Sequence, residues 1–120
     1  MNLATSPPQV TVAISLFNYG NYIERALMSV CEQTIATEIE LIVVDDAYTD
    51  NSVNIVRRFQ LDNPSLIQRL AAFRCELHER NLGLAEARNT AFKLASADSV
   101  LVLDADNFLL PQACAALLML

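Results

Sequence analysis

Asp104 and Asp106 stand one residue apart at the end of the apolar run "SVLVLDADN", residues 99–107. In extended backbone, side chains at i and i+2 leave the same face, so the two carboxylates converge. Converging carboxylates repel unless a cation or a proton sits between them. Hard carboxylate oxygens suit Mg2+ or Mn2+, which usually complete their shells with phosphate oxygens and water. Two acids in a turn are common, but a buried strand in front of them aims both at one spot. The pair therefore reads as half of a metal–phosphate site.

A second acid pair, Asp45 and Asp46, ends the run "IELIVV". One acid after a strand commonly caps the next helix, and Asp50 is the better capper here. Two adjacent acids project differently, so the other is free to accept hydrogen bonds from a nucleobase or ribose. "NLGLAEARN" (81–89) adds Asn81 and Gly83 in a turn, the glycine permitting a sharp bend or a close backbone approach. Arg88 in the helix that follows is either a solvated surface charge or a cation reaching back to the acidic rim or to phosphate. Phe17, Tyr19, Tyr22 and Tyr48 fall near the same segments, as packing or as a stacking surface for a base. His78, the single histidine, has no nearby Ser or Cys nucleophile and reads as an ordinary residue.

The elements that must position these groups follow from hydropathy. "VTVAISLF" (10–17) and "IELIVV" (39–44) are buried-strand patterns, "FRCELHE" (73–79) a more exposed strand, and "SVLVL" (99–103) a fourth. Ile23, Ala26, Leu27, Val30 and Cys31 share one face of a helix over 23–33, with Asn21 as its cap. "TDNS" starts a second helix with Val53, Val56 and Phe59 inward. A third carries Leu84, Ala87, Ala91 and Leu94 inward, and Pro111 suits the first turn of a terminal helix. Strands alternating with helices imply an α/β fold: a mostly parallel sheet with helices on both faces. In such sheets ligands bind beyond the carboxyl ends of the strands. Ser15, Phe17 and Asn18, then Asp45 and Asp46, Asn81 and Gly83, and finally Asp104 and Asp106 all fall at those ends.

Composition narrows the function classes. The chain has 120 residues, 53% of them hydrophobic and 18% charged, with a net charge of −6. That makes one folded domain (10–120) behind a flexible lead-in (1–9), and it excludes a disordered linker. The basic residues are scattered, so no stripe exists to track a phosphate backbone, and a nucleic-acid partner is not expected. "ACAALLML" is far too short for a transmembrane segment, and "MNLATSPPQV" lacks the marks of a secretory signal. Cys31, Cys75 and Cys114 are odd in number and widely spaced, which reads as buried free thiols in a reducing, cytoplasmic setting.

In sequence order, "VTVAISLFN", "ELIVVDDAYTDNS", "NLGLAEARNTAF" and "SVLVLDADNFLLP" resemble the successive motifs of the family 2 glycosyltransferases of the GT-A fold. The resemblance runs over residues 10–111. It implies the Rossmann-like nucleotide-binding half of that fold, a nucleoside-diphosphate sugar donor, and a divalent cation, Mn2+ or Mg2+. It implies a hydroxyl-bearing acceptor, sugar, lipid or protein, and inversion at the anomeric carbon. At matching positions it implies that Ser15, Phe17, Asn18 and Asp46 cradle the nucleoside and that Asp104 lies near ribose and metal. Asp106 becomes the main metal ligand. The catalytic base is expected downstream of Asp106, so the 120 residues alone are expected to hold the donor half and not to transfer sugar.

Three departures qualify the resemblance. The family's "DDGSTD" is here "DDAYTD", its "LDADD" is "LDADN", and its "PTYN" is "SLFN". Ala47, Tyr48 and the short length favour an alternative, a non-catalytic nucleotide-binding or interaction module on the same fold. A phosphoacceptor receiver domain fits less well, because it needs a lysine at a late strand end and Lys93 lies inside a helix. A GT-A-like nucleotidyltransferase would want a glycine-rich, basic loop where "FNYGNY" stands. The high apolar content predicts exposed apolar surface and homo-oligomers.

Overall fold

The computed structural model describes residues 7–16, 22–46 and 52–120. Within them a parallel sheet of four strands forms: β1 (Val10–Leu16), β2 (Ile39–Asp45), β3 (Ala72–Leu77) and β4 (Ser99–Asp104), in the order β3-β2-β1-β4. β1 and most of β2 are buried, as strands covered on both faces should be. Among the described residues β4 pairs only with β1, and Leu103 is its one buried residue. The expectation of a buried strand in front of Asp104 is corrected here: among the described residues β4 lies at the sheet edge, and Val102 is exposed.

Helices cover both faces. On one, α1 (Ile23–Cys31), α2 (Ser52–Asp62) and α3 (Pro64–Arg69) pack on Val10, Val12, Ile14 and Leu16 of β1 and on Leu41 and Val43 of β2. α5 (Ala113–Leu118) adds Cys114 to that core. On the other face α4 (Leu84–Leu94) lays Ala87 and Ala91 against Ala13, Ile42 and Val44. Leu84, expected inward, is exposed, because the helix meets the sheet only from its second turn onward. α3 was not anticipated. Pro64 bars helical geometry at the residue before it, so the chain breaks at Asn63 and restarts with proline in the first turn. Pro111 precedes α5 by two residues, and Asn21 lies outside the described residues.

The topology fixes where a ligand belongs. From β1 the chain steps to β2 and β3 in one direction; α4 then carries it across the opposite face to β4, on the other side of β1. The strand order reverses between β1 and β4. Such a reversal opens a crevice at the carboxyl ends of the two strands, with their crossover helices on opposite faces.

Candidate functional site

The register puts Ser15 of β1 opposite Asp104 of β4 at that crevice, with Asp45 of β2 opposite Leu16. Ser15 is buried and Asp104 is 56% exposed, so the site opens toward the β4 side. Asp106 is not in extended backbone, as the i, i+2 argument assumed. The N–H of Asn107 donates to the Asp104 carbonyl (2.9 Å), closing a turn in which Ala105 points into the core. Both acids are left on the outer side of that turn, one at its start and one at its third position. Arg88 of α4 extends Nη2 to Asp104 Oδ1 at 3.4 Å, an exposed and loose ion pair. Phe17 and Asn18, and also Tyr19, Ala47 and Tyr48, lie outside the described residues.

The turn of 104–107 is anchored from α1. Arg25 donates from Nη2 to the Asp106 carbonyl (3.1 Å), and its guanidinium sits 4.7 Å over the Phe108 ring, within cation–π range. Ser29 Oγ accepts from the Leu109 N–H (3.0 Å). Gln33 donates from Nε2 to the Leu110 carbonyl (2.7 Å) and accepts at Oε1 from the Cys114 N–H (3.0 Å). Arg25, Ser29 and Gln33 are spaced i, i+4, i+8, a polar stripe beside the apolar one. Reading only the apolar face misses it; the four-residue spacing of buried-length polar side chains was the available signal.

Asp46 is tightly held. It is 1% exposed; Oδ1 accepts from the Leu82 N–H (2.8 Å) and from His78 Nδ1 (2.7 Å), and Oδ2 accepts from the Gly83 N–H (2.7 Å). Burial alone pushes its carboxyl up, but the bonds from His78, Leu82 and Gly83 outweigh burial and hold it below the ordinary carboxylate range. The 81–83 turn thus wraps a buried carboxylate, and Asn81 Oδ1 also accepts from Gly83 N–H (3.1 Å). Asp45 is buried, and its carbonyl accepts from the His78 N–H (2.9 Å), extending the β2/β3 ladder by one bond. His78, read as ordinary from sequence, is 8% exposed, and its Nε2 lies 2.7 Å from Thr90 Oγ1 of α4.

The described residues contain no group of three or more His, Cys, Asp or Glu side chains able to hold a metal ion. Asp104 and Asp106 therefore offer two hard oxygen donors and leave most of a coordination shell to other ligands. That donor set fits a cation that arrives with phosphate and water, and does not fit a closed structural site.

The family model described as glycosyl transferase family 2 matches residues 11–120. The chain belongs to glycosyl transferase family 2. An uncharacterized glycosyltransferase of Nostoc sp. is 35% identical over 104 residues, 87% of this chain and 30% of that protein. The chondroitin synthase of Escherichia coli is 32% identical over 106 residues, 88% of this chain and 14% of its own. The chain thus spans less than a third of the length of these curated relatives. Among solved structures, S. aureus TarS 1–349 in complex with UDP matches with a TM-score of 0.79 at 27% identity, covering 92% of this chain and 31% of that one. The mannosyltransferase PcManGT of Pyrobaculum calidifontis, in complex with GDP-Man and Mn2+, matches with 0.74 at 33% identity, covering 87% and 29%. The sheet and its helices are those of a GT-A glycosyltransferase. Within this family 2 chain, no helix of the described residues is long and apolar enough to cross a membrane.

Proposed function

We propose that this chain binds the nucleoside-diphosphate sugar donor of an inverting, cation-dependent glycosyltransferase. The observation that carries the reading is the pairing of Ser15 with Asp104 at the point where strand order reverses, with Asp106 on the adjoining turn. Ser15, Phe17, Asn18 and Asp45 would line the nucleoside, with Asp46, Asn81 and Gly83 shaping its wall through the turn they build. Asp104 and Asp106 would hold Mn2+ or Mg2+. A divalent cation there supplies charge neutralisation for the diphosphate leaving group. Arg88, 40% exposed beside Asp104, brings a guanidinium within reach of the same phosphates. Support comes from PcManGT, whose structure contains GDP-Man and Mn2+, and from TarS, seen with UDP and with UDP-GlcNAc.

In the transfer itself an acceptor hydroxyl oxygen would bond to the anomeric carbon as the bond to the diphosphate oxygen breaks. The electron pair would leave with the nucleoside diphosphate, and the hydroxyl proton would pass to a carboxylate base. Asp104 and Asp106 are assigned to the cation, so neither is that base. We expect the base downstream of Asp106, and these 120 residues not to transfer sugar at a useful rate. The three cysteines are free thiols, which supports a reducing, cytoplasmic setting.

Calorimetric titration of UDP and GDP, with and without Mn2+, on the wild type and Asp106→Asn tests the reading. Binding by the wild type that needs Mn2+ and weakens at least about tenfold in the variant is expected. Absence of binding by folded wild type would move the balance to a non-catalytic module on the same fold.

A further inference from the structure

His78 touches three parts of the molecule at once. It follows β3, its Nδ1 meets Asp46 just beyond β2, and its Nε2 meets Thr90 in the middle of α4. An ionised carboxylate only accepts, so Nδ1 carries a proton and donates to Asp46. The Thr90 hydroxyl has one hydrogen and two acceptors within reach, the Glu86 carbonyl at 3.0 Å and His78 Nε2 at 2.7 Å. When the hydroxyl donates to Nε2, the shorter of the two contacts, both ring nitrogens are hydrogen-bonded and the ring is fixed at each end.

The apolar contact beneath α4 does little of this work around Arg88. The fully buried residues that α4 contributes to it are Ala87 and Ala91, and its one larger contact, the half-buried Leu94, lies at the far end of the helix. Alanine side chains interlock weakly, so sliding or rotating the helix by part of a turn changes their buried area little. Polar bonds tolerate no such shift, since a hydrogen bond weakens steeply with misalignment. Three polar links restrain α4: Asp46 grips its N-terminal approach through Leu82 and Gly83, His78 grips Thr90 two turns further on, and Glu40 holds Ser96 just past its C-terminal end. Arg88 lies between the first two grips, and at 3.4 Å from Asp104 its guanidinium is already at the long limit of a hydrogen bond, so a shift of the helix away from β4 would break the contact.

We propose that His78 is a positioning residue: by joining Asp46 to Thr90 it sets the register of α4 on the sheet and so the place of Arg88 against Asp104. The consequence for donor binding rests on the function proposed above; the register itself does not. Asn and Gln divide the two ends of the imidazole, because an Asn amide reproduces the near nitrogen and a Gln amide the far one.

The test compares wild type with His78→Asn, His78→Gln, Thr90→Val and Thr90→Ser. The Leu82 and Gly83 amides and the Arg88 Nε–H are followed by 1H–15N NMR, and UDP and GDP affinity is measured with Mn2+. His78→Asn should keep the Leu82 and Gly83 signals and move that of Arg88, as should Thr90→Val. His78→Gln should move the two amides, and Thr90→Ser should restore all three signals. Nucleotide affinity should fall about tenfold wherever Arg88 moves. Should His78→Asn fail to fold, Thr90→Val still decides, since it removes only a hydroxyl. An Arg88 signal unmoved in Thr90→Val overturns the positioning role. If Arg88 moves while wild-type and variant affinities stay equal, the link to donor binding is overturned although the donor site stands. Wild type that binds neither nucleotide overturns the proposed function, and the Arg88 signal then decides the register alone.

Discussion

Gly83 shows how one residue sets the shape of the rim. Its φ of 97° and ψ of 162° lie where only glycine is comfortable, and its N–H donates to Asp46. A Cβ built there would meet no atom within 4 Å, so any penalty for a side chain comes from the backbone and not from a clash. Gly83→Ala should therefore cost about 1–3 kcal/mol in urea denaturation, with the Gly83 amide signal shifted as the turn relaxes. A loss below about 0.5 kcal/mol would mean that the turn adopts another shape at little cost. The thiols illustrate the opposite case, residues with reactive chemistry and no role at the rim. Burial pushes Cys31, Cys75 and Cys114 each up to about 11, and the Asp45 charge adds to the effect at Cys75, so all three stay protonated at neutral pH.

β2 is the element on which two depressed carboxylates meet the sheet, one near each end. Glu40 accepts from the Ser96 N–H (2.8 Å), from Ser96 Oγ (2.9 Å) and from Thr11 Oγ1 (2.7 Å), tying the approach to β4 onto the middle of the sheet. Partial burial pushes its carboxyl up, but the bonds from Ser96 and Thr11, with the charge of Arg74, bring it below the ordinary value. Asp46 is lowered in the same way. Folded carboxyls that ionise more readily than unfolded ones stabilise the fold above the ordinary carboxylate range, about pH 4. That contribution is lost as the pH falls through their folded values. The melting temperature should thus drop steeply below about pH 4, and Glu40→Gln, which keeps one acceptor oxygen, replaces the other by an NH2 donor and cannot titrate, should flatten part of the slope. Parallel slopes for both proteins would remove Glu40 from the account. β1 and β2 were legible because strands covered on both faces are continuously apolar. β4 was misjudged because an edge strand can carry the same residues half-exposed, and α3 because six residues show too little period. The convergence of Ser15, Asp45 and Asp104 was legible from strand ends alone. The His78 and Gln33 links were not, since each joins segments that only the folded sheet brings together.

At the scale of the whole molecule, the apolar side chains divide unevenly between core and surface. The face covered by α1, α2 and α3 has the larger core, while the face under α4 is thin and built from small residues. Beyond the Asp106 turn the chain turns outward: Phe108 is 51% and Leu110 68% exposed, and Met119 after α5 is 86% exposed. Soluble monomers seldom leave several large apolar groups this open in one stretch of chain. The segment itself is not loose, because Arg25, Ser29 and Gln33 hold its backbone from α1 and leave the side chains presented on a fixed frame. A fixed and largely apolar surface, bordered by Arg25 and Glu32, is what a second copy can cover at small entropic cost. Light scattering should accordingly give a mass near twice 13.3 kDa at micromolar concentration. Leu110→Glu places a charge on that surface while leaving the Leu110 carbonyl to Gln33, so it should return the protein to monomer with the melting temperature little changed. A wild type that is monodisperse at 13.3 kDa would show that these side chains remain open to water and that association plays no part in holding the rim together.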